Sequence, residues 1–262
     1  MGVFVLVVVV EECAESASYI DHVHDHEHVH ARTPIRLMQS VDRAYNIQSC
    51  MYTRRLLAID PSLTCSGWAM FSIQTGTLSA VGKIRSLAPS YPLAQRLRDL
   101  QSKIDNIFRK LKIITNDVLV CEAPTTMRDP RAAFKVEQVR GIFEALARSS
   151  GLIVPGRINP RSVHHEIMGL RGKQLAREQV KETAVHVVHA LYQKPLSGMG
   201  FDTTKAALTR HQDIIDAILV GNLALTWINA ATLAGIDLEE YFESRKAVRR
   251  RPTLRDFGRR GK

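Results

Sequence analysis

Four carboxylates stand where a side chain can do chemistry. Asp60 ends the apolar run "LLAID" and Glu122 ends "VLVCE", each shortly before a proline. Asp213 and Asp216 are three apart in "HQDIIDAILVG", a spacing that puts both on one face of a helix. In open α/β sheets, sites collect at strand ends, where side chains leave the core and enter a cleft. Taken singly, each acid has an ordinary explanation: Asp before Pro opens turns, and an acid in a first helical turn meets the helix dipole. Converging, they repel one another unless a cation sits among them. Mg²⁺, with Mn²⁺ as a substitute, takes carboxylate, water and phosphate oxygens. Two such ions about 3.5–4 Å apart can clamp an in-line phosphoryl displacement. The reaction class that follows is phosphodiester hydrolysis with water as the nucleophile.

Periodicity outlines the elements that must hold these acids. "RRLLAID" reads as a buried strand, and "GWAMFSIQ" and "TLSAVGKI" alternate around "QTGT" as a hairpin. Leu93, Leu97, Leu100, Ile104, Ile107 and Leu111 recur at spacings of three and four, an amphipathic helix. "DVLVCEAP" is a second buried strand, "RAAFKVEQVRGIFEALARSSG" a helix closed by Gly151, and "LIVPGRI" a third buried strand. "KQLAREQVKETAVHVVHALY" predicts a further helix, the polar stretch 197–209 a connection, and residues 212–228 a last, largely apolar helix. In that helix Val220 continues the stripe of Asp213 and Asp216, and its apolar faces should pack on the sheet with the acidic corner toward the strand ends. The order predicts an α/β fold, a mixed sheet with helices on its faces.

Composition narrows the partner. Of 262 residues, 45% are apolar and 24% charged, with a net charge of +10. That excess favours an anionic partner, nucleic acid ahead of a membrane surface. Residues 1–50 are net acidic, so the positive charge lies beyond them, and residues 245–262 hold nine basic residues against one acid. The basic tail reads as a non-specific electrostatic anchor to DNA. Cys13, Cys50, Cys65 and Cys121 show no ligand spacing, which fits a reduced, cytoplasmic protein. The start of the chain has a short apolar stretch but no cationic segment before it, so no signal peptide is expected. No apolar run reaches the roughly 18 residues that span a bilayer, so no membrane partner is expected.

"DHVHDHEHVH" places five histidines at alternate positions from His22 to His30, a composition that can bind transition metals. The simpler reading is a low-complexity, disordered or non-native leader over 1–50, with Met51 as the working start. The expected organisation is then that leader, a nuclease domain over 51–230, and a basic extension over 231–262. His164, His165, His186 and His189 lack matching ligands and read as surface or satisfied histidines. His211, two residues before Asp213, is the one placed to assist proton transfer.

The ordered motifs resemble the RuvC family of Holliday-junction resolvases, which has the RNase H-like fold. "AIDPSLTCSGWA" is similar to the family's first-strand motif, Ile-Asp-Pro-Gly-Leu followed by Thr-Gly-Tyr/Trp, with Asp60 on the catalytic aspartate. "VLVCEAP" places Glu122 on the catalytic glutamate, and "HQDIIDAILVG" places Asp213 and Asp216 on the final acids. "AAFKVEQVRGIFEAL" is similar to the helix between them through Lys135, Gln138, Arg140 and Gly141. "INPRSVHHEIMGLRGKQLAREQVKETAV" resembles the stretch carrying a Gly-x-Gly turn and a Lys-x-Gln-Val helix. The likeness spans residues 56–225. It implies a mixed five-stranded sheet flanked by helices, two metal ions at Asp60, Glu122, Asp213 and Asp216, and a homodimer cutting a four-way junction to leave 5′-phosphate and 3′-hydroxyl ends. It also implies Lys135, Arg140, Lys173 and Arg177 as DNA contacts and branch-migration machinery as a partner.

Three departures bear on the substrate. Ser62 replaces the usual glycine of the first motif. Arg177 stands where the family often has a lysine, and a guanidinium binds phosphate but does not give up a proton. "EAPT" replaces "EQVF", so Thr125 stands in place of the aromatic that wedges into the junction, with Met127 and Phe134 the large residues nearby. A flap or general branched-DNA nuclease, and a non-catalytic DNA-binding protein of the same fold, therefore stay open beside junction resolution.

Overall fold

The computed structural model describes residues 54–124, 129–170 and 176–247. The 1–50 leader with its histidine tract, Thr125, Met127, Lys173 and the tail beyond 247 lie outside the described residues.

The first apolar run forms β1 (Arg55–Asp60), followed by β2 (Cys65–Ser72) and β3 (Leu78–Arg85). Gly76 turns the β2–β3 hairpin at φ +67°, a left-handed position that glycine takes without strain. Next come α1 (Leu93–Lys110), β4 (Val118–Glu122), α2 (Pro130–Ser149) and β5 (Arg157–Ile158). Asp129 caps α2, its side chain accepting a hydrogen bond from the Arg131 N–H. A three-residue turn, α3 (Pro160–Ser162), runs into a π-helical turn (Val163–Ile167). Four helices complete the fold: α4 (Arg177–Gly198), α5 (Lys205–Thr209), α6 (Gln212–Ala234) and α7 (Leu238–Ala247).

The strand order is β3-β2-β1-β4-β5. The β1–β2 and β2–β3 pairs are antiparallel, and β1–β4 and β4–β5 are parallel. This is the mixed five-stranded sheet, flanked by helices, that the motif order implied. Alternate residues fill two cores. Leu56, Ala58, Ala69, Phe71, Val118 and Val120 pack with α4 and α6, while Leu57, Ile59, Trp68, Met70 and Leu119 pack with α1 and α2. Burial on both faces is why β1 and β4 are continuous apolar runs rather than alternating ones.

Two expectations change. The strand predicted over "LIVPGRI" is reduced to Arg157–Ile158 and an isolated bridge from Ile153 to Val118. Pro155 has no N–H for the ladder. Gly156 lies under Phe242, whose ring would stand 3.2 Å from an added Cβ. The segment therefore leaves the sheet to receive α7.

The second concerns the C-terminal region. α6 continues to Ala234, where Gly235 ends it at φ +66°. Residues 231–247 thus begin within the core: Phe242 is fully buried, with its ring edge-on to Trp227 at 5.2 Å. Arg245 pairs with Glu166 at 2.6 Å and lies 5.1 Å from the Trp227 ring. By length and hydropathy α6 would pass as a membrane span, but 72% of that window is buried inside the protein. It is the central helix of the core.

Candidate active site

Strand parity puts Asp60 on the same face as Leu56 and Ala58, the face covered by α6. Asp60 pairs in register with Gly67 on β2, and Gly67 with Lys83 on β3. On the other side, Ile59 pairs with Cys121, so Glu122 stands beside Asp60 at the end of β4. One row therefore crosses four strand ends: Glu122, Asp60, Gly67, Lys83. The missing side chain at Gly67 leaves a notch in it. The first turn of α6 occupies that notch so closely that a Cβ on Gly67 would lie 1.8 Å from the Asp213 carbonyl oxygen. Two turns on, Gly221 lets the helix down again; a Cβ there would be 2.2 Å from the Phe71 ring and 3.0 Å from Ala58 Cβ. These two close approaches set Asp213 and Asp216 beside the strand ends.

The electrostatics follow. Burial, then Asp216 and Asp213, push the Asp60 carboxyl up to about 7. Burial and the charges of Asp60 and Asp216 push Glu122 well above the carboxylate range. Asp60 and Glu122 are hydrogen-bonded to each other; the bond favours the proton on Glu122 and the charge on Asp60. Asp216 is raised to about 6, chiefly by burial, and its Oδ1 accepts a bond from Gln212 Nε2 at 2.8 Å. Asp213 forms an ion pair with Lys83 at 3.4 Å. Lys181 and Arg177, one turn apart on α4, oppose the rise at Asp216.

Of the expected DNA contacts, the structure turns one inward. Arg140 is 1% exposed; its Nε donates to the Glu122 carbonyl at 2.7 Å and its Nη1 pairs with Glu137. Glu137 also meets Arg157, which forks onto Glu144 at 2.6 and 3.0 Å. Arg140 is thus a buried support for the end of β4 and a counter-charge to the acids, not a surface contact. Lys135 and Arg177 are exposed. His211 immediately precedes α6, with its ring edge-on to Phe201 at 5.9 Å. Phe134, in the first turns of α2, is 71% exposed. A groove of about 570 Å³ between α4 and α5 contains Lys181 but none of the four acids.

Sequence reasoning missed Gly67, Lys83, Cys65 and Gln212. Cys65 neighbours the Asp213 carboxylate, and burial and that neighbour push its thiol up to about 11. The signal was available for three of them. The Thr-Gly turn fixes the hairpin register, which puts Lys83 opposite Gly67, and Cys65 two residues earlier lies on the same face.

The donor set suits a hard divalent cation. Several carboxylates crowd a half-buried site, where burial and mutual repulsion favour protons that a cation would displace. Among the described residues no three His, Cys, Asp or Glu side chains form a ready cage for an ion. Mg²⁺ usually takes one or two carboxylates and completes its shell with water and substrate phosphate, so the set fits without such a cage.

A family model, crossover junction endodeoxyribonuclease RuvC, matches residues 56–209. The match covers Asp60 and Glu122 and stops short of Asp213 and Asp216, which the packing of α6 brings to the same place. The RuvC of Cereibacter sphaeroides is 28% identical over 127 residues, 48% of this chain and 72% of that protein. That of Erythrobacter litoralis is 27% identical over 126 residues, 47% and 74% of the two chains. A solved structure of Thermus thermophilus RuvC in complex with a Holliday junction substrate aligns at a TM-score of 0.49 and 15% identity, covering 68% of this chain and 97% of that one. With more than half its length matched by the family model, the chain belongs to the RuvC family of crossover junction endodeoxyribonucleases.

Proposed function

We propose that this protein resolves four-way DNA junctions as a homodimer, by metal-dependent hydrolysis of phosphodiester bonds. The observation that carries the reading is the row of strand ends at which Asp60 and Glu122 meet the acidic corner of α6. Asp60, Glu122, Asp213 and Asp216 are the residues that would hold two Mg²⁺ ions, with Mn²⁺ as a substitute. Such ions supply a nucleophilic water near neutral pH and charge stabilisation for the leaving oxygen.

The chain's own residues do the rest. Arg140 anchors the Glu122 backbone from below and keeps its direction fixed. Arg177 and Lys181 border Asp216 on the α4 side, where they suit a phosphate approaching the acids. Lys135, exposed on α2, and Lys173 supply further backbone contacts, sequence-independent and salt-sensitive. His211 is the residue we place near proton transfer. The basic tail anchors DNA, branch-migration machinery is a partner, and the cytoplasm is the site of action. In this organisation the nuclease domain starts at 51 and runs through α7, with the leader before it and the basic tail after it.

A second reading, a flap or general branched-DNA nuclease, is favoured by Thr125 in place of the wedge aromatic. Labelled four-way, three-way, flap and linear duplexes incubated with the protein and Mg²⁺ separate the two. Symmetric nicking of the four-way junction, lost in Asp60→Asn, is the expected result. Cleavage of flaps alone selects the second reading. Tight binding without product in Mg²⁺ or Mn²⁺ would leave a DNA-binding protein and overturn both.

A further inference from the structure

Lys83 lies outside the acidic motifs, yet its ammonium reaches the start of α6. It donates to the Arg210 carbonyl at 3.3 Å, in the turn that precedes α6, and pairs with Asp213 Oδ2 at 3.4 Å. Its side chain is 13% exposed against 35% for Asp213, so the amine is largely covered while the carboxylate opens to the site. On β2, Cys65 neighbours the same carboxylate, which helps to push its thiol up. Gly67, the register partner of both Asp60 and Lys83, admits the Asp213 backbone. The β2–β3 hairpin thus holds one residue two ways, by a backbone seat and an ammonium, with the Cys65 thiol beside them.

We propose that Lys83 is a positioning residue of this site, holding the Asp213 carboxylate and the turn before α6 in the orientation that binds a divalent cation. The inference rests on the assignment of Asp213 as a ligand given above. It acts through Asp213 rather than through DNA, because a covered ammonium with two protein partners is poorly placed to meet a phosphate. Partners that orient a ligating carboxylate typically matter 10–100-fold in metal affinity or activity.

The test uses the full chain. Free Mn²⁺ is followed by electron paramagnetic resonance in titrations without DNA, for the wild type, Lys83→Met, Lys83→Arg, Cys65→Ala and Asp213→Asn. Junction cleavage is measured in parallel, with circular dichroism as the check on folding. Lys83→Met should weaken Mn²⁺ binding about 10-fold and lower kcat by a similar factor with KM for DNA unchanged. Lys83→Arg should recover part of both. Cys65→Ala, the milder change beside the same carboxylate, should weaken Mn²⁺ binding by a few-fold and serves if Lys83→Met does not fold. Folded Lys83→Met with wild-type Mn²⁺ affinity overturns the proposal, as does a loss confined to KM with a reduced salt dependence, which would make Lys83 a phosphate contact. If Asp213→Asn also leaves Mn²⁺ binding intact, the fault lies in the ligand assignment itself.

Discussion

At the start of β1 and β4, Asp117 is 1% exposed and accepts hydrogen bonds from the Arg55 N–H, Nε and Nη2 and from the Ile114 N–H. At the finish of the same two strands, Asp60 and Glu122 accept each other's company, with two more acids beside them and Arg140 as the nearest buried cation. Both ends bury carboxylates between the same neighbours. At one end every lone pair has a donor and the charge is balanced; at the other the charge is left in excess. A buried acid that is fully paired belongs to the architecture, whereas acids held together against their repulsion are kept for something that arrives from outside.

The contrast predicts substitutions of opposite sign. Asp117→Asn should lower the stability to urea unfolding by about 3 kcal/mol, because it removes the counter-charge of the Arg55 guanidinium and breaks up a four-donor network. Asp60→Asn should leave stability unchanged or raise it, while abolishing cleavage, because it relieves repulsion among the acids and keeps a side chain that can still bond Glu122. Equal losses at both positions would erase the distinction between the two ends.

Gly67→Ala probes how the second pair of acids reaches the site. Its Cβ would fall on the Asp213 carbonyl, which is helix backbone and cannot swing aside. The helix start must lift, at a cost of about 1–3 kcal/mol. Cleavage should drop at least 100-fold, since a misplacement of about 1 Å is worth that much. A crystal structure of the variant should show Asp213 and Asp216 withdrawn with Asp60 and Glu122 in place. Full activity in Gly67→Ala would mean that α6 tolerates a looser seat than the notch provides.

This division also explains what was legible in the sequence. Asp60 and Glu122 close continuous apolar runs, and their position follows from strand length alone. The three-residue spacing of Asp213 and Asp216 gave their shared face, and the apolar residues around them gave the helix. How that helix meets the sheet depends on Gly67 and Gly221, which carry no side chain and so leave no mark in a hydropathy pattern. Arg140 misled for the converse reason. An arginine in a helix after an acidic strand reads as a surface charge, and only the tertiary pairing of α2 with β4 and β5 shows it buried between Glu137 and the Glu122 carbonyl. The α7 helix was hidden because its charges of both signs surround few apolar residues, of which Phe242, with Leu238 and Tyr241, ties it to the core.

The pH dependence of stability sharpens the comparison most gently. In the unfolded chain Asp60 titrates near its ordinary value of 3.8, whereas in the native protein it is pushed up to about 7. Between those values the native state holds a proton that the unfolded state has released, so stability falls as pH rises through the window. Asp216, raised to about 6, adds to the slope in the same direction. With a chelator present, unfolding free energies from urea titrations should decline from pH 4 to pH 7, by on the order of 1 kcal/mol after allowance for partial exposure. The decline should flatten in Asp60→Asn, which removes one raised carboxyl and relieves both neighbours. Mg²⁺ added at pH 7 should restore stability in the wild type, since a ligand bound by the native state alone stabilises it, and should do so less in Asp60→Asn. A profile that rises over this range would mean that the acids at the strand ends are as well neutralised as Asp117, and the difference between the two ends would vanish.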